Sequence, residues 1–321
     1  MTPSRDEITN FAASVHQRLL NLSRARAADF NLILQRYVGE RFLFRLAGSS
    51  EVDRFVLKGA MLFLVWGGTE FRPTRDVDLL ATARSDHAGI RRSFEAICAV
   101  PCPEDGIRFD LAAIGIANIR EADEYGGVRV KLRATLGKAR LPLQVDIGFG
   151  DIITPGREEV AYPTLLDHPA PRLWTYPRET SVAEKFETMV RRGPTNTRMR
   201  DFWDVAALAQ TFAFDGETLA TAIAETFRRR GTPLSGELPD ALRPSFYEDG
   251  NRIVLWEAFQ RNTPAIIDVP ARFAAIGEIV RAFLGPIRDS LEHADPFTRT
   301  WSPGGPWRPG AFAAARDEGN A

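Results

Sequence analysis

The stretch "TRDVDLLAT" (74 to 82) sets two carboxylates one residue apart in front of an apolar run. Read as a strand, it turns Val77 and Leu79 to one face and Asp76 and Asp78 to the other. The two Cα atoms then lie about 6.6 Å apart, with both side chains projecting to the same side. Such a pair can share divalent cations. In two-metal transfer reactions, ions about 3.5–4 Å apart hold the attacking and leaving oxygens. Mg²⁺ prefers carboxylate and phosphate oxygens to nitrogen or sulfur, so the spacing suits phosphoryl or nucleotidyl transfer.

Two further features bear on the pair. In "RFVLKGAMLFLVWGG" (54 to 68) a short β-branched and aromatic run breaks at Lys58-Gly59 and continues as a run suited to a buried helix. A glycine between strand and helix offers backbone N–H groups and a helix dipole to an anion, and a triphosphate would fit that turn. Lys58, Arg72 or Arg75 could neutralise its charge, and the Thr74 hydroxyl is close enough in sequence to join them. In "LPLQVDIGFGD", Leu141, Leu143, Val145, Ile147 and Phe149 share one face, which leaves Gln144, Asp146 and Gly148 on the other. Asp146 is thus a third outward carboxylate, placed to complete a cage for a cation. A D-x-D pair alone is more often a solvated strand face; the glycine turn and Asp146 reverse that balance.

The elements that must position these groups can be read in outline. The first 46 residues carry apolar residues at three- and four-residue intervals and read as helices. "SDHAGIRRSFEAICAV" reads as a helix with Ser85 as its N-cap. "GGVRVKLRATLG" and "LPLQVDIGFGD" alternate around "GKAR", which is a hairpin signature. The proline-rich stretch "TPGREEVAYPTLLDHPAPRLWTYPRET" has little periodicity and reads as a connection between lobes. "SVAEKFETMVRRG" then opens a helix, with Ser181 and Glu184 in capping-box spacing. "TRMRDFWDVAALAQTF" is a second helix beyond Gly193-Pro194, so Lys185 and Asp201 can meet across a helical hairpin facing the cleft. Taken alone, that pair is more simply a structural ion pair. The organisation is α+β and bilobed: a helix-plus-sheet domain over 1–155, a helical C-terminal lobe over 156–292, and a turn-rich, mobile tail over 293–321.

Composition narrows the function class. The chain has 321 residues, 44% hydrophobic and 26% charged, which speaks against disorder and against a membrane protein. A net charge of −1 carries no global basic field, so contact with nucleic acid would need a local patch such as Arg191, Arg192, Arg198 and Arg200. Cys98 and Cys102 make no disulfide framework, which points to a reducing, cytoplasmic setting. No run approaches the roughly 20 apolar residues of a membrane span. The four dispersed histidines and the C-x3-C pair make no zinc site, and there is no G-x-x-x-x-G-K-[ST] loop.

At these residues the sequence resembles a known family. "LKGA" followed by "RPTRDVDLL", with "VDI" in a later strand, is similar to the signature of the DNA polymerase β-like nucleotidyltransferases. More narrowly, "FVLKGAMLFLVW…FRPTRDVDLL" with "SVAEKFETMVRRG…TRMRDFWDVAAL" resembles the AbiEii/AbiGii family, the toxin half of type IV toxin–antitoxin or abortive-infection pairs. The likeness spans about residues 54 to 210. It implies a mixed nucleotidyltransferase-type sheet with flanking helices and a metal-dependent enzyme using Mg²⁺ or Mn²⁺ and an NTP. Asp76 and Asp78 would be the catalytic metal pair, Gly59 the phosphate turn, and Lys185 and Asp201 a second catalytic pair, with Asp201 orienting the lysine or acting as a base. The acceptor implied is RNA, at the tRNA 3′ end, and the partner a cognate antitoxin. Acceptors among small molecules such as antibiotics, or among proteins, are the enzyme alternatives; a silent NTP-binding module is the non-enzyme one. One departure is Ala60, where the family commonly has a second glycine.

Overall fold

The computed structural model describes residues 10–67, 72–119, 126–234, 236–263 and 269–310. The chain forms two compact units, Met1–Gly150 with Glu158–Thr175, and Asp151–Arg157 with Tyr176–Ala321. The class is the expected α+β: a mixed sheet with flanking helices in the first unit, and mostly helices in the second.

In the first unit the strands are β1 (Phe55–Lys58), β2 (Asp76–Ala81), β3 (Ile107–Phe109), β4 (Gly115–Ile119), β5 (Gly127–Leu136), β6 (Ala139–Phe149), β7 (Glu158–Ala161) and β8 (Arg172–Thr175). Their order is β3-β5-β6-β2-β1-β8-β7, with β4 also on β5. β2 runs antiparallel to β1 and parallel to β6. The hairpin read from "GKAR" joins β5 to β6 with Leu136 paired to Ala139, and Gly137 takes the positive φ of 58° that such a tight turn requires. Alternation along β5 and β6 buries Val128, Val130, Leu132, Val145 and Ile147 and leaves the intervening residues on the other face.

Helices α1 (Phe11–Ala25), α2 (Phe30–Ala47), α3 (Leu62–Gly67) and α4 (His87–Ala99) belong to this unit. Phe94 of α4 stacks on Phe42 of α2 at 5.5 Å between ring centroids and meets Phe55 of β1 at 6.0 Å, which fastens both helices to the core. The cap of α4 is Asp86, whose Oδ1 accepts from Gly89 N–H at 2.7 Å. Ser85 is the cap expected from the sequence; the cap falls one residue later, on a carboxylate, and the helix begins one residue later with it.

The proline-rich stretch is corrected by the structure. Instead of only connecting lobes it contributes β7 and β8, with Val160 opposite Leu173, and its prolines fall between and beside the strands. β8 then pairs in parallel with β1.

The second unit contains α5 (Arg178–Arg192), α6 (Met199–Thr211), α7 (Gly216–Arg230), α8 (Pro244–Glu248), α9 (Gly250–Asn262) and α10 (Phe273–Glu292). The capping box expected at Ser181 does not form. α5 starts three residues earlier, which puts Ser181 inside the helix, and Glu184 instead accepts from Tyr176 O–H at 3.0 Å. Residues 293–310, read as a turn-rich tail, form β10 (Arg299–Trp301) and β11 (Trp307–Pro309), which join β9 (Phe214–Asp215) in a three-stranded sheet. Trp301 is buried there and donates to Ala209 C=O at 2.7 Å, while Trp307 stacks on Phe283 at 5.7 Å. Residues 311–321 lie outside the described residues.

Candidate active site

The register of the first sheet sets the geometry around the D-x-D pair. Lys58 lies opposite Asp78, Asp78 opposite Asp146, and Asp146 opposite Arg129, so one row crosses β1, β2, β6 and β5 with charges plus, minus, minus, plus. The next row holds Asp76, Gln144 and Lys131. Asp76 and Asp78 are half-buried on the face opposite Val77 and Leu79, which are fully buried. The strand therefore presents its carboxylates as the alternation predicts.

Asp146 stands in the row expected of it, but its oxygens are committed. Arg129 donates from Nε to Oδ1 at 2.8 Å and from Nη2 to Oδ2 at 2.7 Å, a bidentate clamp. The Asp146 bond raises the Arg129 pKa above its ordinary value, against the effect of burial, and the charges of Asp146, Asp76 and Asp78 add to it. Among the described residues no group of three His, Cys, Asp or Glu side chains has the arrangement of a metal cage. Two carboxylates on one strand nevertheless suit a divalent cation of the Mg²⁺ type, which is commonly held by one or two carboxylates plus water and substrate phosphate oxygens. The donor set at Asp76 and Asp78 fits Mg²⁺ or Mn²⁺ without Asp146.

Gly59 has a role that spacing alone does not disclose. Its φ is +75°, and a Cβ there would lie 2.1 Å from Asp78 Oδ2 and 2.8 Å from its Cγ. The turn is glycine because the Asp78 carboxylate lies over it. The chain continues as a single 3₁₀ turn, Gly59–Met61, and then as the six residues of α3, too short a run for a large dipole at its start. Thr74 and Arg75 do come together with Ala60, Arg72 and Arg36 around a cavity of about 20 Å³. Val77 and Gly39 of α2 also line it, which places it on the helix-covered side of β2. Lys58 does not line this cavity; it stands in the carboxylate row.

In the second unit the expected meeting of Lys185 and Asp201 is observed. Lys185 Nζ donates to Asp201 Oδ1 at 3.0 Å and to Asp204 Oδ2 at 2.7 Å, and Arg198 Nε donates to Asp201 Oδ2 at 2.6 Å. Asp201 and Asp204 are 3% and 0% exposed. Burial alone would raise the Asp201 pKa, but the charges and hydrogen bonds of Lys185 and Arg198 outweigh it and hold the carboxyl well below the usual range. With both oxygens engaged and a depressed pKa, Asp201 suits orientation of the lysine rather than proton abstraction.

Asp204 was missed as a site residue although it closes the "R-D-x-x-D" run. Its i,i+3 spacing from Asp201, which places both on one helix face, is the signal that could have found it. The neighbouring Glu184 and Glu187 are gathered by Arg230 at 3.3 and 2.7 Å, and Arg230 also reaches Asp151 at 2.9 Å. Of the arginines expected to face RNA, Arg191 pairs with Glu187 at 3.0 Å and Arg198 with Asp201; Arg192 is half-buried and Arg200 exposed.

The outward D-x-D strand over a glycine turn in the first unit's mixed sheet suits nucleotidyl transfer, and the second unit separately holds a lysine between two helix aspartates. A model of the AbiEii nucleotidyl transferase toxin of type IV toxin–antitoxin systems matches residues 41–277, well over half the chain, and the chain belongs to that family. Solved structures to which the chain is similar include JHP933 from Helicobacter pylori, at 15% identity, covering 82% of this chain and 94% of that one with a TM-score of 0.46. A second, a nucleotidyltransferase candidate from H. pylori, is 16% identical and covers 82% of this chain and 97% of its own, also with a TM-score of 0.46. No curated protein matches the sequence. Among the described residues no helix is long and apolar enough to cross a membrane.

Proposed function

We propose that the enzyme transfers a nucleoside monophosphate from an NTP to a hydroxyl of an RNA acceptor, the tRNA 3′ end, releasing pyrophosphate and arresting growth in the cytoplasm until a cognate antitoxin restrains it. The observation that carries this reading is the outward Asp76–Asp78 pair over the Gly59 turn in a member of the AbiEii family. Bound at that pair, Mg²⁺ or Mn²⁺ would neutralise the phosphates and the charge developing on the leaving pyrophosphate.

The side chains supply position and fixed charge. Asp76 and Asp78 would hold the cation from one strand face, with the Asp78 side chain lying against Gly59. Lys185, fixed by Asp201 and Asp204, is a positioned point charge for a phosphate or for the transferred group. Lys58, in the carboxylate row, is the candidate for a further phosphate contact, whereas Thr74 and Arg75 line the cavity on the helix-covered side of β2 and would reach a phosphate only from the strand's start. Arg192 and Arg200 are the candidates for RNA contacts. Asp146 serves first as the counter-ion of Arg129, and its part in holding metal is correspondingly small.

The test is incubation of the purified protein with Mg²⁺, each of the four labelled NTPs in turn, and total tRNA, with Asp76→Ala as the control. Label on RNA that disappears in the control is the expected result and names the nucleotide. NTP binding without RNA label moves the acceptor to a small molecule or a protein. Absence of NTP binding in the wild type overturns the enzymatic reading.

A further inference from the structure

The outward face of the first unit's sheet carries a line of cations that the carboxylate site does not use. Alternation turns Val130, Leu132 and Ala134 of β5 inward and Lys131, Arg133 and Thr135 outward. Across the register, Thr135 stands between Arg140 of β6 and Arg108 of β3. Arg108, Lys131, Arg133 and Arg140 therefore share one face, and all four are exposed. Among the described residues none of the four takes part in a salt bridge, in contrast to Arg129, which is clamped on Asp146. One carboxylate stands on that face between Thr135 and the Lys131–Gln144–Asp76 row: Asp110, beside Arg133, whose C=O accepts from Asp110 N–H at 2.9 Å. Asp110, just past β3, is turned to Ala112 N–H at 3.1 Å.

The line is continuous with the site. Six residues along β5 separate the row of Asp78, Asp146 and Arg129 from the row of Arg108, Thr135 and Arg140, about 20 Å at about 3.3 Å per residue. That is longer than one nucleotide covers. Lys131 and Arg133 are about 6.6 Å apart along the strand, comparable to successive phosphates in an extended single strand. On the β4 side, Gly115 and Ala117 stand opposite Lys131 and Arg129, so small side chains flank those two cations there.

We propose that this face of β3, β5 and β6 binds the phosphate backbone of a single-stranded RNA end whose terminal hydroxyl is presented to Asp76 and Asp78. The inference rests on the RNA-acceptor reading above and names the surface that serves it. Charge complementarity supports a polyanion, and the continuity of the cations with the carboxylate rows favours one that ends in a reacting group over an acidic protein. Binding of this kind is sequence-independent and salt-dependent, because each phosphate contact releases counterions.

The experiment compares the full-length wild type with Arg108→Gln/Arg133→Gln/Arg140→Gln. A labelled single-stranded RNA oligonucleotide and polyglutamate are each titrated at several salt concentrations, with calorimetric NTP binding and a thermal melt as controls. The expected result is RNA binding weakened about tenfold or more, with the slope of log affinity against log salt falling by about 2, at about 0.7 for each lost contact. NTP binding and melting stay unchanged. Equal RNA affinity and slope in both proteins overturns the surface while leaving the acceptor reading intact. Loss of polyglutamate binding with no RNA binding by the wild type overturns it in favour of an acidic protein partner. Wild type that binds neither probe overturns it as well, and the NTP control then shows whether the nucleotidyltransferase reading survives.

Discussion

Two pairs of aspartates at short spacing occur in this chain, and their surroundings give them opposite tasks. Asp76 and Asp78 are i,i+2 on a strand, half-buried on its outward face. Asp201 and Asp204 are i,i+3 on a helix, 3% and 0% exposed, with their oxygens closed on Lys185 and Arg198. A carboxylate removed from water must be paired, and here the partner is a lysine. The buried pair is therefore a mount for a cation that is part of the protein, whereas in the proposed function the outward pair would hold one that comes from solution. The same residue type is closed on a lysine in one unit and half-buried on a strand face in the other.

The sharpest way to break this distinction is to neutralise one aspartate from each pair. Asp78→Asn is expected to lower label transfer by about 10²–10³-fold, the scale of removing one charge-stabilising group. Its cost in a urea melt should be smaller than that of removing a fully buried, paired carboxylate, because Asp78 is only half-buried. Asp204→Asn strips a buried partner from Lys185 and is expected to cost about 3 kcal/mol of stability as well as activity. Equal stability losses in the two variants would erase the difference between the pairs.

How much of this was legible depends on where each signal lives. β5 and β6 show clear period-two alternation along most of their length and β2 over its first four residues, and "GKAR" marks the β5–β6 turn, so the carboxylate face could be read from the sequence alone. Lys185 and Asp201 were legible because two periodic helices flank a Gly-Pro break. β7 and β8 were not: four residues each, set among prolines, they gain strand character only from pairing with one another and with β1. β10 and β11 are shorter still and are held through Trp301 and Trp307. The engagement of Asp146 by Arg129 depends on the cross-strand register, which fixes partners 17 residues apart in the chain. Likewise Gly59 read as a phosphate turn, whereas its contact with Asp78 is tertiary.

That contact sharpens the comparison at the strand. Gly59→Ala would set a Cβ 2.1 Å from Asp78 Oδ2 at a φ of +75°. Backbone strain of about 1–3 kcal/mol is expected, together with displacement of the Asp78 side chain. Misplacement by about 1 Å can cost about 10²-fold in rate, so transfer should fall by about that factor, with Lys185 and its aspartates untouched. An alanine variant with full transfer rate would show that Asp78 does not depend on the turn beneath it.

A third buried carboxylate tests the rule that burial demands a partner, and it does so through pH. Glu40 of α2 is 0% exposed, accepts from Leu165 N–H at 2.6 Å and stands 3.4 Å from Arg41. Burial is the largest influence on it and raises its pKa to about 7, while the Leu165 bond and the charges of Arg41 and Arg36 pull down and Asp105 pushes up. A carboxyl raised in the folded state stabilises most below its ordinary value of 4.5, and that contribution is lost as pH rises through 7. Asp201 behaves in the opposite sense: its stabilisation is present above its ordinary value of 3.8 and is lost only in acid. Glu40→Gln keeps an acceptor for Leu165 and removes the titration. Between pH 4.5 and 8 the wild type should therefore lose on the order of 2–3 kcal/mol relative to the variant. Urea melts across that interval that stay parallel would show that Arg41 compensates the Glu40 charge as fully as Lys185 compensates Asp201.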